Sequence, residues 1–510
     1  MEEYDFIVVG VGSAGAVVAN RLSENPAVKV LALEAGDSSV PPNVHDPSLW
    51  YTLLGSEIDW NYTTIPQPGL DERKLSEPRG KLPGGSSNMH IMMHVRGHQS
   101  DYDNWAYNGC PGWAYEGVLP YLQKLENQED DTSSQAGKGG PLYVANAKLH
   151  NPNPTSKVFI DACLELGYPY TEDFNGDRME GAGWHHVNIK EGKRQSTAVA
   201  YLNPALNRPN LKLSVNARAT RLLFEGKRCV GVEYKQDNQL KTVHANYEVI
   251  VCTGAIESPK LLLLSGIGNS LDLKEFDISV QVDLPGVGEN FHNHVLTAII
   301  NEVSQPLPPP NLNLSESALF CKSDPGWVGP DLQMAFVHVP FDIIVGQKHP
   351  NSISILPGLV RPISRGWVKL ASSNPLDKPL VNPNYLGVKA DEDRLVQAVK
   401  LGREIFATKA FSSWLEKELM PGSEIQNDEE LRAFVRQKAD SYHHQVGSCK
   451  MGLDDMAVVD PHLRVYGVEG LRVADASVIP VVPSGNCNTA IVAIGEKVSD
   501  LIKDAYGLHR

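Results

Sequence analysis

Apolar positions gather near both ends of the 510-residue chain. Asp5 to Val9 is a short, β-branched apolar run, which predicts a strand buried on both faces. Gly10-x-Gly12-x-x-Gly15 ends it. Ala16 to Ser23 follow helical spacing, and Lys29 to Leu33 predict a second strand that stops at Glu34. Further short runs predict strands over Lys212–Val215, over Glu248–Cys252, and in "LRVADASVIP", where the strand ends at Asp475. From Thr489 onward, Ile491, Ile494, Val498, Leu501 and Ile502 recur at helical spacing, with Gly507 placed as a C-cap. No apolar stretch approaches the roughly 18 residues of a membrane span.

The first of these patterns carries chemistry. A glycine triad between a strand and a helix, followed by a second strand ending in an acid, is the arrangement that binds a dinucleotide. Gly10 permits the tight turn, Gly12 lets main chain approach a pyrophosphate, and Gly15 lets the helix pack closely on the strand. The N–H groups of the first helical turn then face the phosphates. Glu34 lies nineteen residues after Gly15, where a carboxylate accepts hydrogen bonds from a ribose diol. An acid at this strand end favours an unphosphorylated adenosine ribose, hence FAD or NAD, and does not choose between them.

Composition narrows the class. A length of 510 residues calls for two domains, and 42 % hydrophobic with 21 % charged residues suits a globular protein. A formal charge of −15 and the absence of a basic, aromatic-interleaved patch speak against nucleic acid or an anionic membrane as partner. The acidic start "MEEYDF" does not resemble a secretory signal, and "GLHR" is no address motif, so a cytoplasmic location is expected. The seven scattered cysteines form no C-x-x-C pair, which fits a reducing compartment and argues against a disulfide framework.

Two further stretches invite chemistry. Gly84, Gly85, Ser86 and Ser87 make a turn rich in N–H and hydroxyl donors, able to clasp a pyrophosphate or press against a flat ring. "YHHQVGSCKMG", Tyr442–Gly452, offers a metal site, a cysteine nucleophile or a catalytic histidine. His443, His444 and Cys449 supply at most three ligands where zinc wants four, and adjacent histidines in an extended chain point to opposite faces. No metal is expected. Cys449 as nucleophile would leave the dinucleotide site unexplained, so it is read as a small buried residue.

The chain also resembles the glucose–methanol–choline oxidoreductase family. The likeness rests on Gly84–Arg96, Gly254–Gly268, "LPGVGENFHNH" (284–294), "SRGWVKLASSNP" (364–375), Tyr442–Gly452 and Gly470–Ile494, all in the family's order. It implies an α/β FAD-binding domain on a doubly wound parallel sheet, interleaved with an α+β substrate domain on an antiparallel sheet. The FAD domain is expected at 1–150, 200–295 and 440–510, and the substrate domain at 151–199 and 296–439. The proline-rich loop Ser304–Leu314 is placed over the substrate side as a lid or as a plain connector.

By the same resemblance His444 is the catalytic base, three residues before Gly447. Gln445 and Ser448 stand where the family has proline and threonine. Asn486 is its expected partner, with His443 and His90 lining the pocket. Flavin contacts are expected from Gly10, Gly12, Ser13, Ala14, Gly15, Glu34, Ala35, Gly84, Gly85, Ser86, Asn88, Met89, His90, Ile91, Val215, Asp475, Ala476, Asn488 and Thr489. Asn488 is expected as N-cap of the last helix. Met89 falls where some relatives carry a histidine bonded covalently to FAD, so FAD is expected to be non-covalent here.

The chemistry suits the residue types. Oxidising an alcohol removes a hydride from carbon and a proton from oxygen. Flavin N5 accepts the first, and a histidine near neutral pKa is fitted to take the second. The expected reaction is oxidation of a primary alcohol, aromatic or furanic from the "SSNMHIMM" likeness, with oxygen as acceptor. The alternatives are a dehydrogenase of choline or polyol type with another acceptor, and a FAD-containing hydroxynitrile lyase. The sequence leaves oligomeric state open.

Overall fold

The computed structural model describes residues 3–309, 311–341 and 351–509. Its first sheet is the frame for the glycine triad. Strand β1 (Glu3–Val9) lies between β2 (Val30–Leu33) and the C-terminal half of Gln239–Val251, all parallel. Leu211–Ser214 adds to the β2 edge and Leu471–Val473 pairs with Val249–Val251 on the other side, again parallel. Phe6, Ile7 and Val8 are fully buried, as expected for a strand covered on both faces.

One part of this sheet is antiparallel. Arg218–Glu225, Arg228–Gln236 and the first half of Gln239–Val251 form an antiparallel meander. Its turns at Gly226 and Asp237–Asn238 adopt left-handed backbone, which closes tight hairpins. The long strand Gln239–Val251 therefore serves two pairings, antiparallel at its start and parallel at its end.

Helix α1 (Ser13–Leu22) crosses β1 and packs against the last helix, Asn488–Tyr506. Gly495 makes the close crossing feasible, since a Cβ there would lie 2.9 Å from Val17 and 3.0 Å from the Ala14 carbonyl. Arg21 fixes the pair with two bonds to Glu496, at 2.8 and 2.7 Å. The last helix begins at Asn488, with Cys487 in the N-cap position expected for Asn488, and Gly507 closes it at φ +63.

The second sheet is antiparallel with eight strands. Its main path runs Leu415–Met420, Ile299–Val303, Ser352–Leu359, Leu332–Val337, Ser317–Cys321, Gly181–Trp184, and Val295–Leu296 joins Ser352–Leu359 to Asp440–Ser441. Leu332–Val337 and Ser352–Leu359 are buried along their whole length. Helix Lys389–Phe406 covers one face, and Leu296, Val337 and Leu356 of the sheet line a cavity that Ser13 also lines. All seven cysteines are buried and free. Among the described residues no helix is long and apolar enough to cross a membrane, and no cluster of side chains could hold a metal ion.

Candidate active site

The carboxyl end of the parallel sheet opens into a cleft of about 1020 Å³. Its floor is the glycine turn. Gly10 has φ +87, and a Cβ there would strike the Cys252 carbonyl at 2.6 Å. A Cβ on Gly15 would lie 2.0 Å from the Gly10 carbonyl, so only glycine lets α1 sit this close. Gly12 differs: a Cβ there meets nothing nearer than 3.9 Å. Its missing side chain is explained by room for a ligand and not by packing. No side chain caps α1, which leaves its first N–H groups free for an anion.

Glu34 ends β2 on the cleft wall, its oxygens accepting from Val11 N (3.1 Å) and Gly36 N (2.9 Å). Asp475 lines the opposite wall and accepts from Gly254 N, Ser258 and Ser477 N. Burial raises the pKa of both carboxyls. At the far end Trp60 stacks on Tyr62, with the Arg218 guanidinium 5.0 Å above the indole. Anion-ready helix end, acid at the strand tip and flat aromatic walls together fit a dinucleotide.

A second cavity, about 1610 Å³, adjoins the first and shares Ser13, Arg79, Ser86 and Ile491 with it. Its walls are largely apolar, among them Met89, Ile91, Met93, Leu296 and Leu356, with Trp50, Phe341 and Tyr442 as aromatic surfaces and Asp440 as its carboxylate. His444 and Asn486 meet here, Asn486 Nδ2 standing 3.1 Å from His444 Nε2. On the other side of the ring, His444 Nδ1 lies 2.9 Å from His294 Nδ1.

The chain holds His444 by pairing two loops. Tyr442 N donates to the His294 carbonyl and Val446 N to the His292 carbonyl, while the Asn293 side chain accepts from His444 N at 2.7 Å. Asn293 also reaches Glu77 and Ser441. Glu77 is fully buried among donors from Tyr385, Ser441 and Gln445. Gln445, in the place the family gives to proline, thus serves as a hydrogen-bonding prop. Gly447, at φ +96, approaches the Asn290 carbonyl so closely that a Cβ would lie 2.5 Å away.

Burial keeps the site's histidines neutral. It drives His444 well below its ordinary value, helped by neighbouring His294, His443 and Arg79. His90, His294 and His443 fall to about 3, burial again the largest cause. A neutral His444 is an acceptor of protons. Two ring nitrogens, His444 Nδ1 and His294 Nδ1, share one contact, so one donates and the other accepts. A lone pair on His444 Nε2 requires Nδ1–H on His444 and an accepting Nδ1 on His294. The Val360 backbone beside His294 favours added positive charge on that ring. Burial raises Glu77 to about 7 against the pull of its donors and Arg79.

Of the residues singled out from sequence, Gly10, Gly12, Ser13, Ala14, Glu34, Ala35, Gly85, Ser86, Asp475 and Ala476 line the first cleft. His444, Asn486, His443, His90, Met89, Ile91 and Asn488 line the second. Gly15, Gly84, Asn88 and Thr489 stand behind these walls. Asn88 bonds the Pro83 carbonyl, Thr489 reaches His94, and Asn488 accepts from Ser13 at 2.7 Å. Val215 lines neither cavity; its carbonyl accepts from Gln236, and Ala217, Arg218 and Ala219 take the wall beyond it. The expectation that His443 and His444 face opposite ways fails, because His443 adopts φ +62 and the alternation of an extended chain is lost.

Sequence reasoning missed Trp60 and Tyr62, and it missed His294 and Glu77 behind the base. "HNH" at 292–294 was visible as a family segment, but nothing in its spacing announced a contact with His444. The loop 304–314 touches the second cavity through Asn313, which bonds the Trp50 indole and the Ile91 carbonyl. Pro310 lies outside the described residues.

The N-terminal part of the GMC oxidoreductase family matches residues 4–296, and its C-terminal part matches 362–495. Mitochondrial choline dehydrogenase of Mus musculus is 42 % identical over 98 % of this chain and 90 % of its own. An oxygen-dependent choline dehydrogenase of Brucella anthropi is 40 % identical over 98 % of this chain and 95 % of its own. The crystal structure of pyridoxine 4-oxidase from Mesorbium loti superposes with a TM-score of 0.93 at 32 % identity, covering 99 % of this chain and all of that one.

Proposed function

The chain belongs to the GMC oxidoreductase family, FAD-dependent enzymes acting on CH–OH groups, and from that premise we propose that it oxidises a primary alcohol to the aldehyde with His444 as base. The observation that carries this reading is the His444–Asn486 pair, set in the apolar cavity that shares a wall with the dinucleotide cleft.

When bound, FAD supplies the hydride acceptor. Gly12, Ser13 and the N-terminus of α1 would hold its phosphates, and Glu34 its ribose. Met89 carries no nucleophile for a histidyl link, which supports non-covalent FAD. Acid precipitation that leaves the yellow colour with the protein would count against that point. His444 Nε2 takes the hydroxyl proton. Asn486 donates to the same oxygen and fixes its direction, a contribution of positioning. His294 holds the His444 ring with its lone pair toward the cavity. The apolar walls keep water from the reacting carbon.

For the substrate, the curated relatives favour an enzyme of choline-dehydrogenase type, and with an oxygen-dependent member among them they do not select the acceptor. A cation would find Trp50, Tyr442 and Asp440 in one cavity. A second reading, an aromatic or furanic alcohol, draws on the apolar walls and on the similarity to pyridoxine 4-oxidase. Anaerobic mixing of the FAD-loaded protein with choline, benzylic, furanic and polyol alcohols tests both, read as loss of flavin absorbance. Bleaching by choline alone supports the first reading and bleaching by flat alcohols the second. An unbleached flavin across the panel would leave the lyase alternative in place. Re-oxidation by air or by a quinone then identifies the acceptor.

A further inference from the structure

Among the described residues, the guanidinium groups less than a tenth exposed are matched by carboxylates, with one exception beside the active site. Arg96 meets Glu126, Arg394 meets Asp391 and Arg472 meets Glu248, at 2.5, 2.5 and 2.6 Å. Arg194 is 1 % exposed and has no ion pair among the described residues. Its donors go to backbone carbonyls: Nε to Val44 (2.8 Å), Nη1 to His90 (2.5 Å) and Ser87 (3.4 Å). Its Nη2 has no acceptor. Burial alone opposes its charge, yet a guanidinium keeps its proton. A buried, unmatched charge costs several kcal/mol and is retained where something else balances it.

The place of Arg194 indicates what that is. Two of the three carbonyls it grips, those of Ser87 and His90, belong to the Ser86–Ile91 segment. That segment is the wall between the two cavities: Ser86 lines both, and Met89, His90 and Ile91 line the second. The field of Arg194 is felt there, since it is the second cause, after burial, of the low pKa of His90. Arg79, which lines both cavities, gives its donors to the Pro78 and His443 carbonyls and feels Glu77 and Asp59 at longer range, and Asp440 feels Arg73. Arg194 is the one of these with no carboxylate acting on its charge.

We propose that Arg194 is the electrostatic support for the charge that arrives with the hydride, and that it raises the reduction potential of the bound FAD. This rests on the reading of the chain as a hydride-transferring FAD enzyme. The alcohol C–H bond breaks and its electron pair leaves with the hydrogen as hydride, while the O–H proton goes to His444. A hydride is one proton and two electrons, so the cofactor side gains one unit of negative charge. A fixed cation behind the wall, in a poorly screened interior, stabilises that state without reorganising.

The test is the two-electron midpoint potential of FAD bound to the full-length protein, by anaerobic dye-equilibrated reduction. It needs no substrate. Arg194→Gln should weaken reduction at least tenfold in the equilibrium constant, about 30 mV lower. Arg194→Lys, which keeps the charge and loses most of the clamp, should stay within twofold of the parent. A loaded Arg194→Gln protein with an unchanged potential overturns the proposal. So does Arg194→Lys falling tenfold, which would assign the effect to loop geometry and would decide the matter even if the glutamine variant failed to load. A parent protein that binds no FAD would instead sink the functional reading itself.

Discussion

The two cavities that meet at Ser86 are built on opposite principles. The dinucleotide cleft rests on main chain: a glycine turn, a helix end and the tip of β2, all inside the first 34 residues. The catalytic cavity is made of side chains from segments hundreds of residues apart, and its key contacts join His294 to His444 and His444 to Asn486. A main-chain site is specified by the absence of side chains at fixed positions. A side-chain site is specified by which distant loops are held together. The first tolerates almost no change at the wrong glycine, and the second should fail by degrees.

The largest effect belongs to the cleft. Gly15→Ala places a Cβ 2.0 Å from the Gly10 carbonyl, and neither backbone can yield without breaking the β1–α1 junction. Little folded, flavin-loaded protein is expected. Gly12→Ala breaks the same motif with no clash nearer than 3.9 Å. It should leave the fold and thermal stability nearly intact and cut FAD affinity by tenfold or more. If Gly12→Ala bound FAD as the parent does, the pyrophosphate would not lie on this turn. Next in size is His444→Gln in the second cavity. Turnover should drop by about 10²–10⁴, with the visible spectrum of the bound flavin retained. Parent-like turnover would remove His444 as base.

That contrast also explains what could be read from sequence. Gly10, Gly12, Gly15 and Glu34 were legible because each acts through local backbone geometry with a fixed spacing. The last helix, read from Thr489 onward, was legible from apolar periodicity, and its cap from the glycine at 507. The orientation of His443 was not, because its φ of +62 is imposed by the pairing of 442–446 with 292–294 and not by its own sequence. Glu77 was unreadable for a related reason: an acid flanked by Ser76 and Pro78 carries no sign of the four side chains that converge on it. The antiparallel meander was missed because Gln239–Val251 changes partner midway along one strand.

A smaller effect is expected at Asn486. Asn486→Ala removes the donor to His444 Nε2 and to the alcohol oxygen, but the base stays in place. The loss should be about 10–100-fold in kcat, of the order of one hydrogen bond to a developing charge. A kcat unchanged with only KM raised would reduce Asn486 to a binding contact.

The smallest effect concerns stability, and it sets buried acids against buried bases. His90, His185, His294 and His443 have folded pKa values of about 3, below the ordinary value near 6.5. A depressed pKa gives stability that is present above 6.5 and is lost as pH falls toward 3, because the unfolded chain binds the extra protons. Glu77 runs the other way. Its pKa of about 7 lies above the ordinary 4.5, so its contribution is present below 4.5 and is lost as pH rises through 7. Glu34, Asp440 and Asp475, also raised by burial, act in the same sense as Glu77; between pH 5 and 6 the lowered histidines, His292 and His444 among them, outnumber these acids, and stability should fall on acidification by about 1.4 kcal/mol or more per pH unit, the slope of a single proton. Glu77→Gln removes one of the opposing groups while its amide can still accept from Tyr385 or Ser441. Denaturant melts at pH 5 and 6 should then show a slope steeper by up to about one proton. Because Asn293 joins Glu77 to the His444 backbone, turnover at neutral pH should change only a few-fold. If the variant instead matched His444→Gln in activity, Glu77 would belong to the proton path and not to the frame beneath it.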